Sequence, residues 1–223
     1  MSASEVLIVR TGTANVASVV AALRRLGASP RLSAAAEDVR SARALVLPGV
    51  GAFGAAMHEL AQAGLVEPLK ARLAAGQATL AICLGLQVLA GSSEESPGSR
   101  GLSFLESAVT RIAGEVRIPH IGWNRVGVSA GAGARDAVVR DGYAYYANSF
   151  ALPSREAAAP LVAAGWRVAE TSHGSAFVAA IERGGIVACQ FHPELSGAWG
   201  LGLMRRWLER AGVTLACAEG VTC

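Results

Sequence analysis

The sequence predicts one α/β domain: a mostly parallel central sheet with helices on both faces, a sharp strand-to-helix turn at Cys83, and extra β-rich segments in the second half. Three observations predict it. Short apolar runs alternate with helically spaced segments as far as Cys83, giving the rhythm strand, helix, strand, helix. Those runs read as buried strands, which places helices on both faces of the sheet. The run 79–82 then passes through Cys83 between the small residues Ala81 and Gly85, which lets a strand turn tightly into a helix.

Glu5–Val9 is the first expected strand. Residues 17–26 place Val20, Leu23 and Leu26 at helical spacing, and Gly27 stands where a C-cap is needed. Residues 44–47 form the next buried strand and run directly into Pro48, Gly49, Val50 and Gly51. Residues 57–73 read as helix with a break at 64–68, and 79–82 is the third strand, followed by a helix-like stretch at 86–89. Beyond it, segments 101–112, 124–128, 142–150, 166–171, 176–182 and 185–190 are separated by turn-rich stretches and read as β. Residues 201–211 close the fold as an amphipathic helix, with Leu203, Trp207 and Leu208 as core positions. Residues 1–211 are therefore expected to form one domain and 212–223 a mobile tail.

Composition narrows the function classes. At 223 residues and 52% hydrophobic content the chain has ample apolar surface for one core. The longest apolar runs fall far short of the roughly 20 residues a bilayer span needs, and the N-terminus has no charged segment leading into an apolar stretch and cleavage site. A cytoplasmic protein without a membrane span is expected. Cysteines at 83, 189, 217 and 223 have neither zinc-ligand spacing nor the density of a disulfide scaffold, so free thiols, no metal and no cofactor are expected. A net charge of +3 with scattered arginines offers no basic stripe for nucleic acid.

The candidate chemistry centres on Cys83. A lone buried cysteine usually packs as a small hydrophobe, so Cys83 gains meaning from what accompanies it. Placed at a nucleophile elbow, at the start of a helix, it meets unpaired amides and a helix dipole that favour the thiolate. A thiolate nucleophile needs a base to carry its proton and an acceptor to fix the tautomer of that base. His192 falls just past the strand ending at Gln190, and Glu194 is close enough to reach back to its imidazole. Of the other histidines, His58 lies in a helical stretch, while His120 and His173 are loop candidates. Cleaving an amide also needs donors for the oxyanion, and the glycines of 48–51 and the amide of Leu84 are placed to supply them.

These three segments, in this order, resemble the class I (triad) glutamine amidotransferases over the whole chain. The resemblance implies a Cys-His-Glu triad of Cys83, His192 and Glu194 that releases ammonia from glutamine through a glutamyl thioester. Within the class, segments 15–19, 48–53, 94–98, 101–102 and 119–124, above all Pro119-His120-Ile121-Gly122-Trp123-Asn124, are similar to the glutaminase subunits of imidazole glycerol phosphate synthases in histidine biosynthesis. By that resemblance Gly51 and Leu84 supply the oxyanion amides. Gln87, Glu95 and the backbone at Ser149 and Phe150 hold the glutamine. Pro119, His120, Trp123, Asn124 and Tyr145 face a partner cyclase, with which the chain forms a heterodimer and to which it passes ammonia. An eight-stranded barrel of about 250 residues cannot be drawn from this chain, so the cyclase is expected as a separate subunit.

The sequence departs from the family at Ala81, usually glycine, Asn148, usually histidine, Phe150, usually tyrosine, and Leu195, usually polar; residues 11–15 lack the usual Gly-Asn pair. None of these is in the triad. Rotation of one peptide at Gly51 would add or remove an oxyanion donor, worth about 3 kcal/mol or roughly a hundredfold in rate, so low turnover by the isolated chain is expected. Two other functions fit the same residues: a different amidotransferase, such as a pyridoxal phosphate synthase glutaminase, and a non-catalytic binding module on a triad fold. Delivery of ammonia to another partner would mark the first, and an unreactive Cys83 the second.

Overall fold

The computed structural model describes residues 3–10, 16–128 and 136–216. Its first half runs β1 (Glu5–Val9), α1 (Val16–Arg25), β2 (Ser29–Ser33), α2 (Ala36–Ser41), β3 (Leu45–Leu47), α3 (Phe53–Gln62), α4 (Val66–Ala74) and β4 (Thr79–Ile82), then a one-turn helix α5 (Leu84–Gln87). Next come β5 (Ser92–Ser93), β6 (Ala108–Arg111), β7 (His120–Val128), β8 (Gly142–Asn148), β9 (Phe150–Ala151) and α6 (Ser154–Ala163). The chain continues through β10 (Arg167–His173), β11 (Ser175–Arg183), β12 (Ile186–Cys189), a 3-10 turn (Pro193–Leu195) and α7 (Gly197–Arg210).

The large sheet has the order β2-β1-β3-β4-β12-β11-β10-β7-β8. Strands β2, β1, β3, β4 and β12 are mutually parallel, and β11, β10, β7 and β8 extend the sheet antiparallel. A small second sheet joins β5, β6 and β9. Alternation along the buried strands sends side chains to two cores. Val6, Ile8, Val46, Leu80 and Ile82 pack with Val19 and Leu23 of α1 and Leu203, Trp207 and Leu208 of α7. Leu7, Val9, Leu45, Leu47 and Ala81 pack on the other face with Val39, Leu60, Leu69 and Leu161. Helices therefore cover both faces.

Several boundaries differ from the sequence expectation. Of 101–112 only Ala108–Arg111 is a strand, and 142–150 divides into β8 and β9 at Ser149. His120 and His173 are not in loops: His120 is the first residue of β7 and His173 the last of β10. Residues 212–216 are docked rather than free. Val213 is buried, the Thr214 N–H bonds to the Ala3 carbonyl at 2.9 Å, and the Ala216 N–H to that of Gly27 at 3.0 Å. The expected tail at 217–223 and the departure at 11–15 lie outside the described residues.

Candidate active site

Strands β3, β4 and β12 are parallel neighbours, so the segments leaving their C-terminal ends emerge side by side. β3 delivers 48–51, β4 delivers Cys83, and β12 delivers 190–192. This is the edge of an open α/β sheet where ligands collect.

Cys83 adopts φ 54° and ψ −110°. Such a backbone is strained for a non-glycine residue, at about 1–3 kcal/mol, and is typical of functional turns. Close approach of the backbone around it explains the neighbouring glycines. A Cβ at Gly85 would lie 2.2 Å from the Leu47 carbonyl oxygen, and one at Gly49 would lie 2.8 Å from Leu84 Cβ. The elbow and the exit of β3 are thus pressed together, backbone against backbone. Ala81 sits inside β4 and is not among the residues of positive φ, so its methyl group needs no strained backbone. The helix after Cys83 is one turn long, Leu84–Gln87, and begins two residues earlier than the expected 86–89. It offers free N–H groups in its first turn, Leu84 among them, rather than a sizeable macrodipole.

His192 Nδ1 and Glu194 Oε1 are 2.9 Å apart, and both side chains are buried. The short 3-10 turn that starts at Pro193 brings the carboxylate back to the imidazole. Burial alone would lower the proton affinity of His192. Hydrogen bonds to Cys83 and to Glu194, with the charges of both, outweigh it and raise the imidazole pKa to about 10. The arrangement therefore favours an imidazolium beside the sulfur at neutral pH. The main chain adds precision: the Cys83 N–H bonds to the Cys189 carbonyl at 2.7 Å and the His192 N–H to that of Tyr145 at 2.9 Å.

A cavity of about 320 Å³ opens on the sulfur, lined by Gly51, Cys83, Leu84, Gln87, Glu95, Pro119, Ser149, Phe150 and His192 together with Val50, Ala147 and Asn148. The oxyanion, glutamine-binding and nucleophile candidates thus share one pocket. Gly51 stands at its rim with φ 94°. One oxygen of Glu95 accepts the Phe53 N–H at 2.7 Å, which caps α3 and fixes the carboxylate. The Phe150 carbonyl accepts from Gln87 Nε2 at 2.8 Å and from Asn148 Nδ2 at 3.0 Å. Asn148 Oδ1 is buried without a partner among the described residues. Phe150 keeps the aromatic ring of a tyrosine and lacks only its hydroxyl, so the wall keeps its bulk.

The residues expected to face a partner separate into two sets. Strand alternation turns Ile121 and Trp123 outward from β7, at 64% and 57% exposure. Tyr145 stands opposite Trp123 on β8, with ring centroids 6.4 Å apart, and Tyr143 is exposed beside it. His120 points the other way and is buried, which corrects its expected place on the surface: its ring stacks on His173 at 4.1 Å and on Tyr146 at 5.0 Å. Asn124, on the same side as His120, gives its amide to the Ser172 carbonyl at 2.9 Å and so ties β7 to β10. Pro119 lines the cavity. Leu195 is 44% exposed just after Glu194.

Gln190 stands in the candidate site and was not singled out by the sequence. It is fully buried, with Nε2 3.6 Å from Cys83 Sγ. The available signal was a polar residue closing an otherwise apolar strand, Ile186–Cys189, just before His192. Among the described residues no group of three or more His, Cys, Asp or Glu side chains is placed to hold a metal. No described helix is long and apolar enough to cross a membrane.

Comparison with known proteins gives the family. The family model "Glutamine amidotransferase class-I" matches residues 7–206. The Imidazole glycerol phosphate synthase subunit HisH of Methanothermobacter thermautotrophicus is 39% identical over 205 residues, which cover 92% of this chain and 98% of the relative. The HisH subunit of Salmonella typhimurium is 38% identical with the same coverage. A crystal structure of a glutamine amidotransferase superposes with a TM-score of 0.69 at 23% identity, covering 93% of this chain and 99% of the other. A Thermoplasma acidophilum protein described as a "putative gmp synthase subunit a protein" gives 0.62 at 18%, covering 93% of each; these two likenesses speak to the fold. The chain belongs to the class I glutamine amidotransferases, and within them to the family of the HisH subunits of imidazole glycerol phosphate synthase.

Proposed function

We propose that this chain hydrolyses glutamine at Cys83 and passes the ammonia to a separate cyclase subunit of imidazole glycerol phosphate synthase, in the cytoplasmic pathway to histidine. The observation that carries the reading is the strained Cys83 elbow sharing one cavity with His192, whose other ring nitrogen is held by Glu194.

The chemistry follows from these positions. The Cys83 thiolate attacks the side-chain amide carbon of glutamine, and the negative charge that develops on the amide oxygen is met by the N–H groups of Leu84 and Gly51. His192, protonated on the nitrogen facing the sulfur, gives that proton to the departing nitrogen. The C–N bond breaks, ammonia leaves, and a glutamyl thioester remains on Sγ. Water then attacks the thioester while His192 takes its proton, the C–S bond breaks, and glutamate and the Cys83 thiolate are regenerated beside an imidazolium. Glu194 keeps the imidazole in the tautomer and orientation that both steps use. Gln87, Glu95, Ser149 and Phe150 hold the amino-acid end of the substrate.

The outward face carrying Trp123 and Tyr145, extended by Ile121 and Tyr143 and continued to the cavity by Pro119, is the surface that meets the cyclase. Asn124 supports it from behind. Docking there, and turning of the Gly51 peptide, make hydrolysis wait for the acceptor. The test is covalent trapping: a glutamine-analogue electrophile is expected to add one equivalent to Cys83, faster with the cyclase present. An adduct on another residue, or none in the complex, would overturn the assignment.

A further inference from the structure

We propose that Gln190 is a further catalytic residue of this site, one that donates a side-chain N–H to the Cys83 sulfur and favours the thiolate. The inference rests on the reading of Cys83 as nucleophile and adds a residue to it.

The argument is one of donors and acceptors. A carboxamide can be turned either way, so an oxygen or an NH₂ group of Gln190 can face the sulfur. The main chain removes the choice. The Phe150 carbonyl can only accept, and it lies 2.8 Å from one end of the Gln87 carboxamide, so that end must be the NH₂ group. The same Gln87 nitrogen lies 3.0 Å from the Gln190 carboxamide, and its second hydrogen therefore needs an oxygen there. With Oε1 of Gln190 fixed on Gln87, its Nε2 is left 3.6 Å from Cys83 Sγ. Turning either amide over would set two donors or two acceptors against each other in a buried place, since Gln190 is fully buried and Gln87 is 5% exposed. A relay of fixed polarity thus runs from the Phe150 carbonyl through Gln87 and Gln190 to the sulfur. An N–H directed at sulfur stabilises the anion more than the neutral thiol. His192 is left free to deliver its proton to the leaving nitrogen.

The relay also ends in the wall of the glutamine cavity, where Gln87 and Phe150 both stand. Substrate contacts at that wall and the charge on the sulfur are therefore linked through two side chains.

The test follows iodoacetamide alkylation of Cys83 against pH in the full chain, read by mass spectrometry. Absence of a Cys83 adduct even with the cyclase present, with iodoacetamide and with a glutamine-analogue electrophile alike, would remove the nucleophile reading itself. Where Cys83 reacts, Gln190→Met is expected to shift the alkylation midpoint upward by about one pH unit, equivalent to roughly tenfold less thiolate below the midpoint. Gln87→Met, which leaves Gln190 in place but frees its rotation, is expected to shift it in the same direction by less. A purely structural role would lower the thermal midpoint of Gln190→Met and leave its alkylation profile in place, which overturns the proposal. One measurement needs no variant: in native protein the side-chain ¹⁵N–¹H resonances of Gln190 are expected to titrate with the Cys83 midpoint. Resonances that ignore that midpoint overturn the proposal even if Gln190→Met does not fold.

Discussion

Adding one methyl group at Gly85 tests whether the elbow and the exit of β3 act as one unit. The new Cβ would stand 2.2 Å from the Leu47 carbonyl oxygen, against an ordinary carbon–oxygen contact of about 3.3 Å or more. Both partners are backbone, so no side chain can swing away, and the two segments must part by about 1 Å. That motion separates Cys83 and Leu84 from the segment 48–51 across which the amide oxygen has to sit. Misplacement of that size costs roughly a hundredfold in rate, and overpacking of a tight contact costs about 1–3 kcal/mol in stability. Glutamate release with the cyclase present, at saturating glutamine, measures the first; urea unfolding measures the second. The prediction for Gly85→Ala is a folded protein, less stable by that amount, with turnover reduced about a hundredfold. A folded Gly85→Ala with native turnover would refute the claim that this contact sets the oxyanion geometry.

Three further changes probe other parts of the account. Glu194→Gln removes the charge that helps keep His192 protonated; turnover is expected to fall by about a hundredfold or more, and the alkaline limb of its pH profile to move to lower pH, because the imidazole then loses its proton below the value of about 10 it has now. An unmoved alkaline limb would contradict the role given to Glu194. His120 is held neutral, its pKa lowered to about 4 by burial and then by the neighbouring His173. As pH falls from the ordinary 6.5 toward 4 the unfolded chain takes up this proton first, so stability on the order of 1–2 kcal/mol, after allowance for solvent screening, should be lost over that window and largely retained in His120→Gln, as read from urea midpoints. Arg72 is buried and gives hydrogen bonds to the carbonyls of Val39, Ala42 and Ala78, with Thr79 and Gln77 side chains as further acceptors. Arg72→Met leaves those carbonyls without their donor and is expected to cost about 3–5 kcal/mol in unfolding free energy, with Arg72→Lys restoring only part of it because one ammonium cannot span all five acceptors.

The first half of the fold was legible because its strands are continuous apolar runs and its longer helices keep a regular period. β2 and α2 were not: Ser29–Ser33 is an edge strand with a proline and a single large apolar residue, and Ala36–Ser41 is too short to establish a period. α6 was hidden by Pro153 at its cap and Pro160 inside it, which argue against a helix until Ala157 and Leu161 are seen packed in the core. The grouping of Cys83, His192 and Glu194 was legible because Cys83 and His192 stand just past the ends of recognisable strands, with Glu194 two residues on. The division of 119–124 was not, since the direction of a side chain depends on the register of β7 against β8 and on burial of the alternate face. Gln190 escaped notice because its role depends on two amide orientations set by a carbonyl 40 residues earlier in the chain.

The most direct test of the central claim is glutamate release from glutamine by this chain mixed with the cyclase subunit of an imidazole glycerol phosphate synthase and its nucleotide ligand, for the native protein and for Cys83→Ala. The account predicts release that depends on partner and ligand and that disappears with Cys83→Ala. Equal release by the isolated chain would contradict the coupling to a cyclase, and release that survives Cys83→Ala would contradict the nucleophile on which the rest depends.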